Sequence, residues 1–478
     1  MAPARRDFDV LVIGAGPAGE KGACQAAYFG KRVAVIERAA HPGGACCNTG
    51  TLPSKSLRES ALYLAGLAQR GVPTLTRSLA TGVSAQEFMV RKDEVVGFEI
   101  DRIHENLDRH GVELLSGSAS FEDPHTLRVG ERRISADAIL IAAGSRPHHP
   151  DGIPFDHPLV DDSDSILGIE RIPASLVVVG AGVVGCEYAS MFAALGVAVT
   201  LVEPGARLLP FLDGEIAHLL EAAMRHRLGV DLKTGESLAG LETSEAAVRV
   251  RLVSGQVVSC ERVLASVGRV GAVEGLALER AGVRADERGR IAVNEHCQTE
   301  VPHIYAAGDV IGFPSLAATS MEQARVAMTH ACGQTYKTRV SPVLPFGIYT
   351  IPELSMVGET EESAQKKGID YEVGRALYRR NARGQMIGDL EGLLKLVFRA
   401  ADKRLIGVHV IGERATELVH IGQTCLGLAG TIDYFVDAIF NYPTLSELYK
   451  YAAYDGLARL AARARPATAP DARSPPNS

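Results

Sequence analysis

The sequence predicts an α/β fold: two Rossmann-like dinucleotide-binding domains followed by a C-terminal α+β domain. Three observations carry that prediction. Two glycine-rich loops, Gly14-Ala15-Gly16-Pro17-Ala18-Gly19 and Gly180-Ala181-Gly182-Val183-Val184-Gly185, each follow a short apolar β-rich run and open a helical pattern. The second unit repeats the architecture of the first 166 residues later (180 minus 14). From about Phe346, strand-like and helical runs alternate without a further phosphate loop, so that region does something other than hold a nucleotide. A chain of 478 residues exceeds one ordinary core, and about 100 to 200 residues per domain gives three or four. The expected segments are 1–150, 151–275, 276–345 and 346–462. A Pro-, Ala-, Arg- and Ser-rich tail, 463–478, is expected to be disordered.

In the first unit, Val10 to Ile13 form a strand, Gly14 makes the tight turn, Gly16 lets a pyrophosphate approach the backbone, and Gly19 packs helix on strand. The helix N-terminus then faces the phosphates. A second strand, Arg32 to Ile36, ends at Glu37, placed to accept ribose hydroxyls. Next comes Gly43-Gly44-Ala45-Cys46-Cys47-Asn48-Thr49-Gly50-Thr51-Leu52-Pro53-Ser54-Lys55, which combines a glycine pair suited to a flat ligand, a thiol and a lysine. Five residues after Cys46, where a second thiol would close a small redox disulfide, stands Thr51. Leu57, Ala61, Leu64 and Ala68 repeat at helical spacing as core, with Pro53 near the start and Ser56/Glu59 as a capping pair. Leu114 to Phe121 and Thr126 to Val129 read as short strands, and Ala138 to Ala143 as a buried strand leaving through Gly144-Ser145-Arg146-Pro147.

The second unit runs through strand Val177 to Val179, helix Cys186 to Leu195 and strand Val197 to Val202 to Glu203. A carboxylate there favours a free ribose 2′-hydroxyl, hence NAD, and repels a 2′-phosphate. Arg207 either reaches such a phosphate or is an exposed loop charge. Strand Val263 to Val267 exits through Gly268-Arg269, and Thr299 to Ala307 leads into Gly308-Asp309, a carboxylate presented beside a ligand polyol; Leu316 to His330 is helical. In the last domain Leu393 to Phe398 and Leu405 to Val410 are strands. Glu359 to Lys367, Ala415 to Leu428 and Ile432 to Ile439 are helical, and a helix to about Ala462 follows Asn441-Tyr442-Pro443-Thr444-Leu445-Ser446-Glu447.

A net charge of −7 spread along the chain points to neither nucleic acid nor an anionic membrane. The eight cysteines follow no repeated spacing, which favours reduced thiols over a disulfide framework or zinc cluster; no metal site is expected. The first strand-like run arrives before a signal-peptide core could form. The apolar stretch Ile172 to Val202 contains four glycines and Glu187, so it reads as βαβ rather than a membrane span. A cytoplasmic location is expected.

With these motifs in order, the chain resembles the flavoprotein disulfide reductases, the group of dihydrolipoamide dehydrogenase, over about residues 8 to 462. The resemblance rests on both glycine loops, the Cys46 to Lys55 segment, Ala143-Gly144, Gly308-Asp309 and Tyr442-Pro443-Thr444. It implies FAD in the first site, held by Gly14, Gly16, Gly19, Glu37, Gly44, Lys55, Gly117, Gly144, Asp309 and Ala317. It implies a nicotinamide nucleotide in the second, held by Gly180, Gly182, Gly185, Glu187, Glu203, Arg207 and Gly268. It also implies a C-terminal domain that forms a homodimer or higher homo-oligomer, with Tyr442 and Glu447 at the interface. Lys55 and Glu187 would pair near the flavin and nicotinamide as the catalytic side chains.

Two departures redirect the chemistry. The second cysteine of that family is Thr51 here, and its acid-base histidine is Tyr442. Dithiol exchange needs a thiolate, a partner sulfur and a proton shuttle titrating near neutrality, and a tyrosine, with a reference pKa of about 10, serves poorly. Losing both while keeping both loops resembles the soluble FAD-containing pyridine nucleotide transhydrogenases. So do the runs Gly185 to Ser190, Gly308 to Gly312 and Phe346 to Glu353. The resemblance implies hydride transfer between NADPH and NAD. Cys46 stays open as an inert buried residue, a charge-transfer thiolate or an oxidisable thiol. The competing functions are a disulfide or quinone reductase using NAD(P)H and a non-catalytic flavoprotein that senses the nucleotide pool.

Overall fold

In the computed structural model Phe8–Ile13 forms β1, and its alternate side chains enter two different cores. Val10 and Val12 pack with Ala23 and Ala26 of α1 (Pro17–Tyr28), while Leu11 and Ile13 pack with Phe121 and Leu127 on the opposite face. Burial on both faces is what a central parallel strand requires. Parallel to β1 lie β2 (Val33–Glu37) on one side and β6 (Arg132–Ile141) on the other. The sheet order is β3-β2-β1-β6-β5-β4, with β3 Glu113–Ser116, β4 Ala119–Asp123 and β5 Thr126–Val129. A further strand, β17 (Ile304–Ala306), pairs parallel with β6. The structure describes residues 6–69 and 84–463. Contacts divide these into two units, one holding 6–67, 84–206 and 230–342, the other 68–69, 207–229 and 343–463.

The Cys46 segment forms two helices, α2 (Gly44–Asn48) and α3 (Thr51–Gln69). The Ser56/Glu59 pair therefore caps nothing: α3 has already begun at Thr51, and the Ser56 carbonyl accepts a bond from Ser60 inside it. Leu57 and Ala61 are buried as expected, whereas the side chain of Ala68 lies outside the described residues. A 25-residue helix that the sequence reading passed over, α4 (Ala85–Arg109), starts with a Ser84/Glu87 capping box and buries Ile103 and Leu107 against the first core. The run Leu114 to Phe121 is two strands, because Gly117 breaks it at φ 143°. β6 begins six residues before the expected Ala138 and ends at Ile141 (138 minus 132).

The same unit holds a five-stranded parallel sheet in the order β11-β10-β9-β15-β8. Its strands are β8 Val160–Asp161, β9 Ser175–Val179, β10 Ala198–Glu203, β11 Asp231–Thr234 and β15 Arg262–Ala265, with α5 (Val183–Ala194) following β9. Three antiparallel strands, β12 Leu238–Thr243, β13 Val248–Leu252 and β14 Val257–Cys260, were not expected; their alternating Val-Arg pattern at 248–252 is the half-buried strand signature. Finally, β7 (Ser145–Pro147) pairs with β16 (Arg269–Gly271), joining the chain that leaves β6 to the chain that leaves β15. Thr299 to Ala307 yields only the short β17, after which α7 (Ala317–Ala331) returns against α1.

In the second unit an antiparallel sheet runs β18-β19-β22-β21-β20, with β18 Phe346–Ile348, β19 Leu354–Gly358, β20 Tyr371–Leu377, β21 Leu393–Arg399 and β22 Leu405–Ile411. Helices Ala415–Gly427 and Leu448–Arg463 cover it, burying Leu418, Val419, Tyr449, Ala452 and Ala453 with Phe398 and Val408. The expected helices at 359–367 and 432–439 are shorter, Glu361–Lys366 and Asp433–Asp437. Residues 207–229, which include helix α6 (Gly214–Ala222), belong to this unit. The tail beyond Arg463 lies outside the described residues, and no helix among them is long and apolar enough to cross a membrane.

Candidate functional site

The two glycine loops are built alike. Gly14 and Gly180 turn at φ +96° and +97°, and a Cβ on either would stand 2.5 and 2.6 Å from the carbonyl oxygens of Ala142 and Ser266. Gly19 and Gly185 admit no side chain at all, since a Cβ would lie 1.8 and 1.9 Å from the Gly14 and Gly180 oxygens. Gly16 and Gly182 cap α1 and α5 in extended conformation without any side-chain cap, which leaves the first helical N–H groups for a phosphate.

The acids at the strand ends match too. Glu37 accepts from the Ala15 and Ala39 amides, both at 2.8 Å, and Glu203 from the Ala181 amide at 2.7 Å and the Gly205 amide at 2.8 Å. Each carboxylate thus ties its own glycine loop to its strand end, in addition to the ribose contact expected of it. That second role could not be read from the sequence, because it depends on which backbone amides point at the acid.

The Cys46 segment hangs on the first loop. The Gly43 amide donates to the Ala15 carbonyl at 2.8 Å, and Gly44, at φ +55°, comes so close that a Cβ there would lie 2.9 Å from the Gly16 Cα. Gly117 joins the same end, its amide donating to the Glu37 carbonyl at 2.8 Å. All eight cysteines are free. Burial raises the Cys46 thiol above its ordinary value, with a hydrogen bond to Thr51 acting the other way. Cys47 is buried, its thiol pushed up to about 11, chiefly by desolvation. Neither is poised as a thiolate near neutrality.

From α3, the Lys55 ammonium meets the Glu187 carboxylate of α5 at 2.7 Å and the Ser54 hydroxyl at 3.2 Å. The expected pair is therefore made, with side-chain exposures of 24% and 7%. Gly144 (φ +72°) leads to Ser145, whose hydroxyl donates to Asp309 at 2.6 Å. Gly308 (φ +84°) donates its amide to the buried Gln323 at 2.9 Å, and Ala317 begins α7 shortly after. Gly268, at φ +108°, is the corresponding exit of β15.

Arg207 is engaged away from the β10 end. Its guanidinium donates to the Pro210 and Leu212 carbonyls at 2.7 and 3.2 Å and to Glu362 at 3.4 Å, all within the second unit. Of its two readings, the structure favours the loop charge. In that unit Tyr442 is 74% exposed, and Glu447 lies in the turn Leu445–Glu447. Sequence reasoning missed Ser145 and Arg269 as side chains, having read Gly144-Ser145 and Gly268-Arg269 only as backbone exits. It also missed Lys395, which is 1% exposed and encircled by Asp213, Glu215 and Glu361. A lysine inside an apolar strand pattern was the available signal.

Comparison with known proteins agrees with this arrangement. Residues 8–331 match the pyridine nucleotide-disulphide oxidoreductase family and residues 344–453 its dimerisation domain. A soluble pyridine nucleotide transhydrogenase of Mycobacterium bovis is 46% identical over 463 residues, covering 96% of this chain and 98% of that protein. One of Colwellia psychrerythraea is 42% identical, covering 95% and 99%. Among solved structures, the HOCl-induced flavoprotein disulfide reductase RclA of Escherichia coli superposes with a TM-score of 0.84 at 28% identity, over 94% of this chain and 99% of that one. LpdA of Mycobacterium tuberculosis gives a TM-score of 0.84 at 26% identity, covering 93% and 99%.

Proposed function

Because the chain belongs to the pyridine nucleotide-disulphide oxidoreductase family, we propose that it transfers hydride between NADPH and NAD by way of bound FAD. Its relatives named soluble pyridine nucleotide transhydrogenases support that reading. The observation that carries it is local. Beside two intact nucleotide loops, Cys46 faces Thr51 instead of a second thiol and is held protonated by burial. A site so equipped can pass hydride but has no sulfur partner for dithiol exchange.

The first loop fits FAD on the structure's own terms. The close approach of Gly44 to Gly16 leaves room only for backbone, the α1 N-terminus offers uncapped amides, and Glu37 stands at the ribose position. When bound, FAD supplies the two-electron store that accepts hydride from one nicotinamide and gives it to the other. The chain's own part is to bind and orient. Gly14, Gly16, Gly19, Gly44, Gly117, Gly144, Asp309 and Ala317 would line the flavin nucleotide, and Gly180, Gly182, Gly185, Glu203 and Gly268 the nicotinamide nucleotide. Lys55 places a positive charge where negative charge gathers, and Glu187 fixes that ammonium in direction.

We assign 1–150 and 276–345 to the flavin site, 151–275 to the nicotinamide site and 346–462 to a homodimer interface that includes Tyr442 and Glu447. Glu203 favours NAD over NADP at the second site, so NADPH is the weaker-held partner. The test is anaerobic stopped-flow: NADPH and NADH, mixed separately, should each bleach the flavin, and NAD should restore it. Flavin that NADPH reduces but NAD fails to reoxidise would sink the proposal. So would two new thiols per flavin after reduction.

A further inference from the structure

The strands leaving the two nucleotide units meet in the two-stranded β7/β16 ribbon, where Val270 pairs with Arg146 and Gly271 with Ser145. From β16, the Arg269 guanidinium reaches across the ribbon. Its Nε donates to the Ser145 hydroxyl at 2.8 Å and its Nη2 to the Ser145 carbonyl at 2.9 Å. Ser145 in turn donates its hydroxyl to Asp309 at 2.6 Å. On its other side, Arg269 Nη1 reaches the Ser163 hydroxyl at 3.3 Å and the Asp164 carboxylate at 3.5 Å. The Ser163 carbonyl accepts from the hydroxyl of Tyr188 at 3.5 Å, and Tyr188, 2% exposed, is the neighbour of Glu187 on α5. All of these residues lie in the first unit.

We propose that Arg269 is a positioning residue that couples the second nucleotide site to the first, through Ser145 to Asp309 and through Ser163 to Tyr188. The planar fork of an arginine makes this possible, because it holds several acceptors at fixed angles where a lysine offers one point charge. Charge alone does not account for this geometry: the Ser145 hydroxyl and carbonyl that the fork reaches are neutral, and its ion pair with Asp164 is longer, at 3.5 Å. The fork instead fixes where Asp309 and the middle of α5, at Tyr188, stand relative to each other. Hydride transfer is steep in the distance between donor and acceptor carbons, so a shift of about 1 Å costs on the order of a hundredfold in rate.

This inference rests on the transhydrogenase reading, and the experiment separates the two. Arg269→Gln, Arg269→Lys and Ser145→Ala are made in the full-length holoenzyme, with flavin content and thermal melting recorded first. Calorimetry measures NAD affinity, and the flavin's visible difference spectrum on NAD binding reports coupling without turnover. Arg269→Gln should bind NAD within about threefold of wild type yet lose most of the difference spectrum, and its flavin reduction by either nucleotide should slow by about tenfold or more. Ser145→Ala should share the defect, the double variant should be no worse than the more impaired single one, and Arg269→Lys should recover only part. If Arg269→Gln holds its flavin and shows wild-type spectrum and rates, or if the two single effects multiply, the coupling role is overturned. Wild-type flavin that neither nucleotide reduces would overturn the transhydrogenase reading and this inference together.

Discussion

Replacing Lys55 with Met removes one charge and keeps the length and apolar stem of the side chain, so it isolates what the ammonium does. The Lys55–Glu187 contact is 2.7 Å, with side-chain exposures of 24% and 7%. Unit charges at that separation attract by about 6 kcal/mol at an effective dielectric constant of 20. Desolvation of both ions offsets most of this gain, but deleting one partner takes this contact from a buried charge, at a cost of about 3 kcal/mol. Lys55→Met should therefore melt several degrees lower. At the flavin the consequence has a sign: loss of a charge-assisted contact of roughly 1.5 to 3 kcal/mol to the reduced form should lower the two-electron midpoint potential by about 30 to 60 mV. Glu187→Gln should move it the opposite way, because the ammonium loses its counter-charge, and the double variant should return toward wild type. Anaerobic potentiometry with redox dyes measures all three. If the potential is unmoved in Lys55→Met while its melting temperature falls, the pair is a structural tie between α3 and α5, and the flavin role given to Lys55 is wrong.

Three further outcomes follow from the geometry. Cys46→Ala should transfer hydride within about twofold of wild type, because a thiol held protonated by burial contributes no thiolate; a collapse of turnover with flavin retained would return Cys46 to the chemistry. Glu203→Ala removes the acceptor of the Ala181 and Gly205 amides and the negative charge at the ribose. The ratio of kcat/KM for NADPH over NADH should rise by about tenfold, and an unchanged ratio would refute the ribose assignment. Lys395→Met leaves Asp213, Glu215 and Glu361 facing one another and should cost about 3 to 5 kcal/mol in urea unfolding. Burial works to raise the Asp213 and Glu215 carboxyls, but the charges of His409 and Lys395 at the first and of Arg375 and Lys395 at the second hold them below 3.8 and 4.5. Their contribution is complete above those unfolded values and fades as pH falls through the lower folded ones. Wild type should therefore lose stability more steeply than Lys395→Met below about pH 4; parallel acid limbs would count against the cluster.

Where the fold was legible, one local rule was enough. Glycine spacing set both loops, because a Cβ at Gly19 or Gly185 would fall within 2 Å of a carbonyl oxygen. Strand–helix alternation set the parallel strands of both nucleotide sheets, because βαβ crossovers demand it. What the sequence hid depends on partners far along the chain. The α4 helix is an exception: its start signal in Ser84 and Glu87 and its apolar stripe of Phe88, Val96, Ile100, Ile103 and Leu107 were both legible. The meander 238–260 carried no expectation, although the Val-Arg alternation at 248–252 marks one of its strands. Arg269 and Ser145 looked like backbone exits because their roles arise only when β7 and β16 pair. The Lys55–Glu187 contact spans 132 residues and was reached through family resemblance, not through periodicity.

The two nucleotide loops share every internal device, yet they differ in what stands in front of them. Before the first, Gly44 packs backbone on backbone against Gly16, and the Gly43 amide is bonded to Ala15, so the Cys46 segment forms a wall over that loop. Before the second, nothing among the described residues lies within 4 Å of the position a Cβ on Gly182 would take. The first loop is thus covered by backbone on that side, and the second is not. Ping-pong transfer between two soluble nucleotides needs that asymmetry: one carrier that stays while the other is exchanged at each half-reaction. The missing thiol partner at Thr51 fits the same division. On the proposed transhydrogenase reading, hydride would arrive and depart on the open side, the wall over the first loop would have no electrons to pass onward, and Cys46 would serve there as packing.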